Sequence, residues 1–154
     1  MTKLFQLLIE DMSCFGGFSF LFFYLGFLLF TGHKLLVLAV AVSLFSGLLI
    51  TSLIRLIYHR LRPENKNRKH KMIFHSIFEK IYDASFPSMH AMSVSIVAYS
   101  LYFFDNRMAI LAVIMAGMVY YSRNYLKKHY WTDIIAGAVL GLIIIISMLK
   151  LLNV

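Results

Sequence analysis

Three short polar clusters interrupt an otherwise apolar sequence of 154 residues: Arg55 with Arg62-Pro63, then Pro87-Ser88-Met89-His90, then Ser122-Arg123 followed by His129 and Asp133. Arginine presents a planar fork of N–H donors that fits phosphate oxygens two at a time. Pro and Ser both favour a helix N-terminus, whose free N–H groups and partial positive charge suit an anion. His90 would then be a proton donor beside that anion. If a helix begins by His129, the four-residue spacing sets Asp133 next to its imidazole. A carboxylate there fixes the ring tautomer and improves the other nitrogen as a nucleophile or base. No acidic cluster is present of the kind that holds Mg²⁺, and a single Cys14 excludes both a thiolate zinc site and an internal disulfide. Taken singly, each cluster has a plainer reading: snorkelling arginines, a helix cap, a surface ion pair. Taken together, they suggest metal-independent attack on a phosphoryl group.

The elements that must position these residues are membrane helices. Apolar residues make up 60% of the chain and charged residues only 14%, with a mean hydropathy of +0.77. That is far from the balance of a soluble domain and excludes intrinsic disorder. Five apolar runs are expected to span, approximately Met12 to Phe30, Leu35 to Tyr58, Ser88 to Phe104, Met108 to Ser122 and Trp131 to Leu152. Crossing a hydrocarbon core takes roughly 20 helical residues, and in lipid such segments must be helical. The acidic Glu10 and Asp11 before the first run, and the lack of a cleavage pattern after it, argue for a retained span over a secretory signal. Phe5, Leu8, Ile9 and Met12 fall on one face as an interfacial lead-in. Small residues at four-residue spacing, Ala39, Ser43, Gly47 and Thr51 in the second run and Gly137 with Gly141 in the fifth, predict close helix packing. The fold class is thus all-α, a polytopic helix bundle of about five spans in one domain, with a motif core over 55–141.

Counting spans places all three clusters at one membrane interface. The separation of Arg55 and Arg62 is two helical turns, which directs both from the end of the second span on the same side. The connection over 59–87 is the longest charged stretch, and apolar pairs at Met72-Ile73, Ile77-Phe78 and Ile81-Tyr82 predict an amphipathic helix in the headgroup layer. Its cations Lys66, Arg68, Lys69 and Lys71 are candidates for headgroup recognition. His33, His59, His70 and His75 read as interfacial or loop residues, with metal binding by the last two a minor alternative.

In order and spacing, the three clusters resemble the three-part signature of the type 2 phosphatidic acid phosphatase superfamily, over Arg55 to about Gly141. That family includes lipid phosphate phosphatases, bacterial undecaprenyl pyrophosphate and phosphatidylglycerophosphate phosphatases, glucose-6-phosphatase and the vanadium haloperoxidases. Two positions depart from the usual pattern: Arg55 stands where a lysine is usual, and Met89 where a glycine is usual. The resemblance implies that His129 attacks phosphorus to form a phosphohistidine, oriented by Asp133. Arg62, Arg123 and Arg55 would hold the phosphoryl oxygens with help from the Ser88 hydroxyl. His90 would protonate the leaving oxygen and then activate water. A bell-shaped pH profile is expected of such a histidine pair.

No cofactor is expected, and the partner expected is a membrane lipid phosphate, not a nucleic acid. Undecaprenyl pyrophosphate, phosphatidylglycerophosphate and phosphatidic acid all place a phosphate at the interface and tails in lipid. A phosphotransferase using the same intermediate and a non-catalytic lipid binder are the alternatives. The excess of Lys and Arg on the motif side points that side to the cytoplasm; the family resemblance points it outward, to the extracytoplasmic face of a prokaryotic cell membrane.

Overall fold

The computed structural model of the chain describes residue 9 and residues 12–65 and 77–154. Within these residues the structure is helical, with no strand beyond an isolated bridge between Leu61 and Ala84. The helices are α1 (Phe18–Phe30), α2 (Lys34–Ile57), α3 (Ile77–Asp83), α4 (Met89–Phe104), α5 (Ala109–Tyr125) and α6 (Trp131–Leu151). The five longer ones fall on the five apolar runs. Among the described residues, only α2, with 24 residues, and α6, with 21, are long and apolar enough to cross a membrane unaided. At 1.5 Å per residue α1 measures about 20 Å and α4 and α5 about 25 Å, short of a core of about 30 Å. Of the five spans expected, the described residues show two helices of full spanning length and three shorter apolar ones.

The first run departs from its expected bounds because it breaks at Gly16-Gly17, where a 3₁₀ turn over Ser13–Gly16 precedes α1. A side chain at Gly16 would press on the His90 carbonyl oxygen at 2.9 Å, so the backbone there lies directly on α4. The α1–α2 connection turns at Gly32, whose φ of +82° is a left-handed conformation that glycine adopts without strain. Ile9 is buried, but most of the predicted lead-in lies outside the described residues, as do 66–76 with the upstream half of the predicted amphipathic helix. The downstream half is α3.

Helix α4 occupies the centre, packed on α6, α5 and α2, while α1 packs on α2. Ala91 to Val97 are all buried. The small residues foreseen as packing faces do that work: Ala39, Ser43, Gly47 and Thr51 are buried along α2, with Gly47 against Met92. On α6, Gly137 lies against the Ser88 backbone and Gly141 against the Met92 backbone. Such contacts let two helices approach to backbone distance, which is how bundles gain packing energy where lipid supplies no hydrophobic drive. The exterior is correspondingly apolar, with Phe22, Phe23, Phe30, Ile110, Val113 and Ile143 exposed, while Ser93, Ser95 and Ser100 are buried at the centre. Tyr24 and Ser100 share a buried hydrogen bond of 2.8 Å, and Ser95 and Tyr120 one of 2.6 Å.

Candidate active site

The end of α2, the start of α4, the end of α5 and the start of α6 meet on one side of the bundle, as span counting requires. They enclose a cavity of about 220 Å³ whose lining includes Arg55, Arg62, Met89, His90, Arg123 and His129. Its wall is completed by Gly16, Gly17 and Leu21 from the N-terminal segment and by Tyr82 from α3. No carboxylate among the described residues lines it.

His129 lies between α5 and α6 and is 2% exposed. Its Nδ1 is 2.7 Å from the Ser85 carbonyl oxygen. A carbonyl only accepts, so Nδ1 carries the proton and Nε2 is left with its lone pair. Burial, followed by the nearby Arg123 charge, pushes the imidazole far below its ordinary pKa, against the opposing pull of the Ser85 hydrogen bond. The ring is thus neutral, the form a nucleophile requires.

Asp133 is fully buried and stands beside this ring at ion-pair distance, beyond hydrogen-bond reach. Helix α6 begins at Trp131, two residues after His129, so the two side chains approach across the helix start and not along one helical face. Asp133 Oδ2 is 4.0 Å from Nδ1 and instead accepts the Tyr130 N–H at 2.9 Å as an N-terminal cap. Its Oδ1 accepts from Arg60 Nη1 at 2.7 Å. Arg60 was absent from the sequence-based site. Its guanidinium also donates to Thr132 Oγ1 at 2.7 Å and lies 4.1 Å over the Tyr130 ring.

The arginines divide by what they hold. Arg55, 4% exposed, donates from Nε and Nη2 to the Pro87 carbonyl at 3.2 and 2.8 Å and from Nη1 to the Ile81 carbonyl at 3.0 Å. It both lines the cavity and fastens the segment that leads into α4. Helix α2 ends at Ile57, so Arg62 reaches the cavity from a loop and not by helical phase. Its Nη2 donates to the Tyr82 carbonyl at 2.6 Å, and its Nε is buried without a partner among the described residues. Arg123 Nε is likewise buried and unpaired. Leaving such donors unmet is costly, and both belong to side chains of the cavity wall, where an anion would meet them. Ser88 is the N-cap of α4, accepting the Ala91 N–H at 3.4 Å, and is not part of the lining. Its own N–H donates to the Asp133 carbonyl at 3.0 Å, tying α4 to α6. Lys66, Arg68, Lys69 and Lys71 lie outside the described residues, as do His70 and His75. Glu64 joins the two loops beside the site, 2.7 Å from Lys128 and 3.7 Å from Arg62.

Fold and site together define an apolar helix bundle with a cationic, histidine-bearing cavity at one end. The model of the PAP2 superfamily matches residues 36–153, and the chain belongs to that family. It is 30% identical over 108 residues to the undecaprenyl-diphosphatase BcrC of Bacillus subtilis (strain 168), a match covering 70% of this chain and 53% of that protein. The chain thus spans about half the length of this curated relative. Its fold resembles the crystal structure of Aquifex aeolicus LpxE, with a TM-score of 0.79 and 21% identity over 97% of this chain and 88% of that one. It also resembles the transmembrane PAP2-type phosphatidylglycerolphosphate phosphatase of Bacillus subtilis, with a TM-score of 0.70 and 21% identity over 98% and 78% of the two chains. Family and apolar helices make it an integral membrane protein.

Proposed function

We propose that the chain is a membrane lipid phosphatase whose cavity receives a phosphoryl group at the bilayer surface while the lipid tails stay among the helices. The observation that carries this reading is one cavity lined by three guanidiniums and two imidazoles, one of them with its Nε2 lone pair left free by the Ser85 carbonyl. In the first step His129 Nε2 bonds to phosphorus as the bond to the leaving oxygen breaks, and His90 gives that oxygen a proton. In the second, water attacks phosphorus, His90 takes its proton, the N–P bond breaks and phosphate departs. Arg62 and Arg123 stabilise the extra negative charge of both transition states, with Arg55 behind them. The lipid's own negative charge among the guanidiniums lets His90 carry the proton that the leaving oxygen needs.

The BcrC likeness makes undecaprenyl pyrophosphate the first substrate to try, followed by phosphatidylglycerophosphate and phosphatidic acid. Five crossings would put the site on one face of the membrane, and we place that face outside the cytoplasm. The test is phosphate release from these three lipids by detergent-purified protein in excess EDTA, with His129→Ala as control. Release that persists in EDTA and disappears in the variant is the expected result. No release from any of them by folded protein would overturn it and favour a phosphotransferase or a lipid binder.

A further inference from the structure

Glu64 follows Arg62 by two residues, and its carboxylate faces two loops at once. Oε1 stands 3.7 Å from Arg62 Nη1 and Oε2 2.7 Å from Lys128 Nζ, while the Glu64 N–H donates to the Lys127 carbonyl at 3.1 Å. The residue therefore bridges the loop that carries Arg62 to the turn that carries His129. At 3.7 Å the contact with Arg62 is an ion pair too long for a hydrogen bond, so it acts by charge and leaves the donors of the guanidinium uncommitted on that side. The carboxylate is not part of the cavity lining, yet its charge reaches Arg123 as well as Arg62.

We propose that Glu64 is a positioning residue that, acting through Arg62, weakens the hold of the cavity on phosphate so that the released phosphate can leave. Three guanidiniums around one cavity of about 220 Å³ bind a phosphate dianion strongly, and binding substrate, transition state and product equally well adds nothing to the rate of the chemical step. A carboxylate just outside the lining offsets part of the Arg62 charge and repels every phosphate species in the cavity alike. Its effect is thus on how long phosphate stays, not on the bond that breaks. Lys128 moderates Glu64 in turn, since the ammonium on Oε2 shares the carboxylate charge that Arg62 would otherwise meet alone. The proposal rests on the phosphatase reading only for naming phosphate as the product.

The test is the affinity of inorganic phosphate for the full-length protein in detergent micelles, measured by isothermal titration calorimetry, which needs no turnover. Glu64→Gln should bind phosphate about three- to fivefold more tightly, the effect of one partly exposed ion-pair charge, and the difference should shrink at high salt. Glu64→Asp, which keeps the charge, should stay near the parent, and Lys128→Met should bind phosphate more weakly. A clasp that merely held the two loops together would be broken by Glu64→Gln and by Lys128→Met alike and would move the affinity in one direction, so opposite shifts are the mark of charge. With the lipid substrate, KM and kcat of Glu64→Gln should fall together as release slows, and an unchanged kcat would overturn the part in release. Phosphate binding that is unchanged, weaker or absent in Glu64→Gln, or shifts of the same sign in the two variants, would overturn the proposal. In an active phosphatase that result refutes the role of Glu64 alone; tighter phosphate binding by Glu64→Gln, when the parent is inactive on every lipid, refutes the phosphatase reading alone.

Discussion

Replacing Gly137 by alanine should cripple the site from a distance. A Cβ at Gly137 would overlap the Ser88 carbonyl oxygen and lie 3.2 Å from the Ser88 carbonyl carbon and 3.3 Å from Ala91 Cβ. The obstacle is backbone, so no side-chain rotation relieves it, and a close-packed interior offers no void to absorb the methyl group. Helix α6 must back away from α4 by a distance on the order of 1 Å. Overpacking of this sort costs about 1–3 kcal/mol of stability. The chemical cost is larger, because the 3.0 Å bond from the Ser88 N–H to the Asp133 carbonyl opens as the helices part. His129 and Asp133 move with α6, whereas His90 moves with α4, and a misplacement of about 1 Å between reacting groups is worth roughly a hundredfold in rate. The assay is kcat for phosphate release together with the thermal midpoint in the same detergent. Gly117→Ala is the matched control, since nothing lies within 4 Å of the added Cβ and alanine is the better helix former by about 1 kcal/mol. A Gly137→Ala protein with the parent's kcat and midpoint would refute the reasoning, as would an equal loss in Gly117→Ala.

Two further outcomes are expected. Arg55→Ala should cost about 3 kcal/mol, because it strips the buried Pro87 carbonyl and the part-buried Ile81 carbonyl of their donors; chemical denaturation in mixed micelles measures it, and a change under about 1 kcal/mol would show that water replaces the guanidinium. Stability should also fall as the pH drops below about 6.5, since His129 stays neutral when folded and takes up a proton when unfolded. The contribution is about 1.4 kcal/mol per pH unit for that one proton, and denaturation curves of His129→Gln should show a slope lower by that amount.

The helices could be read from the sequence because a hydrocarbon solvent leaves few options: long apolar runs, stripes such as Gly137 and Gly141, and the cap at Ser88 each state their structural role locally. The cationic lining was legible for a similar reason, since alternating span directions bring Arg55, Arg62, His90, Arg123 and His129 to one end whatever the details of packing. What escaped the sequence depends on a bound or a partner that no spacing encodes. The 4.0 Å between Asp133 and His129 follows from α6 starting at Trp131, a bound that the spacing does not state. Arg60 was one basic residue among several in a charged connection, and only the fold brings it across 73 positions to Asp133. The part played by Ser85 belongs to its carbonyl, which no side chain announces. The Gly16-Gly17 wall had one trace, paired glycines inside an apolar run, whose meaning appears only against His90.

The two ends of that wall carry a consequence for biosynthesis. Gly16 and Gly17 close the cavity from the beginning of the chain, and His129, with the α6 segment that anchors it, closes it from near the end. During synthesis, the early helices can enter the bilayer with Arg55 and Arg62 already in place, yet His129 is not fixed in the cavity wall until α6 docks its glycines on α4. A stalled or truncated product would hold a cationic pocket able to attract lipid phosphates but unable to act on them. Competence would thus wait on the docking of α6, and a chain cut just before Trp131 would carry His129 without the helix that fixes it.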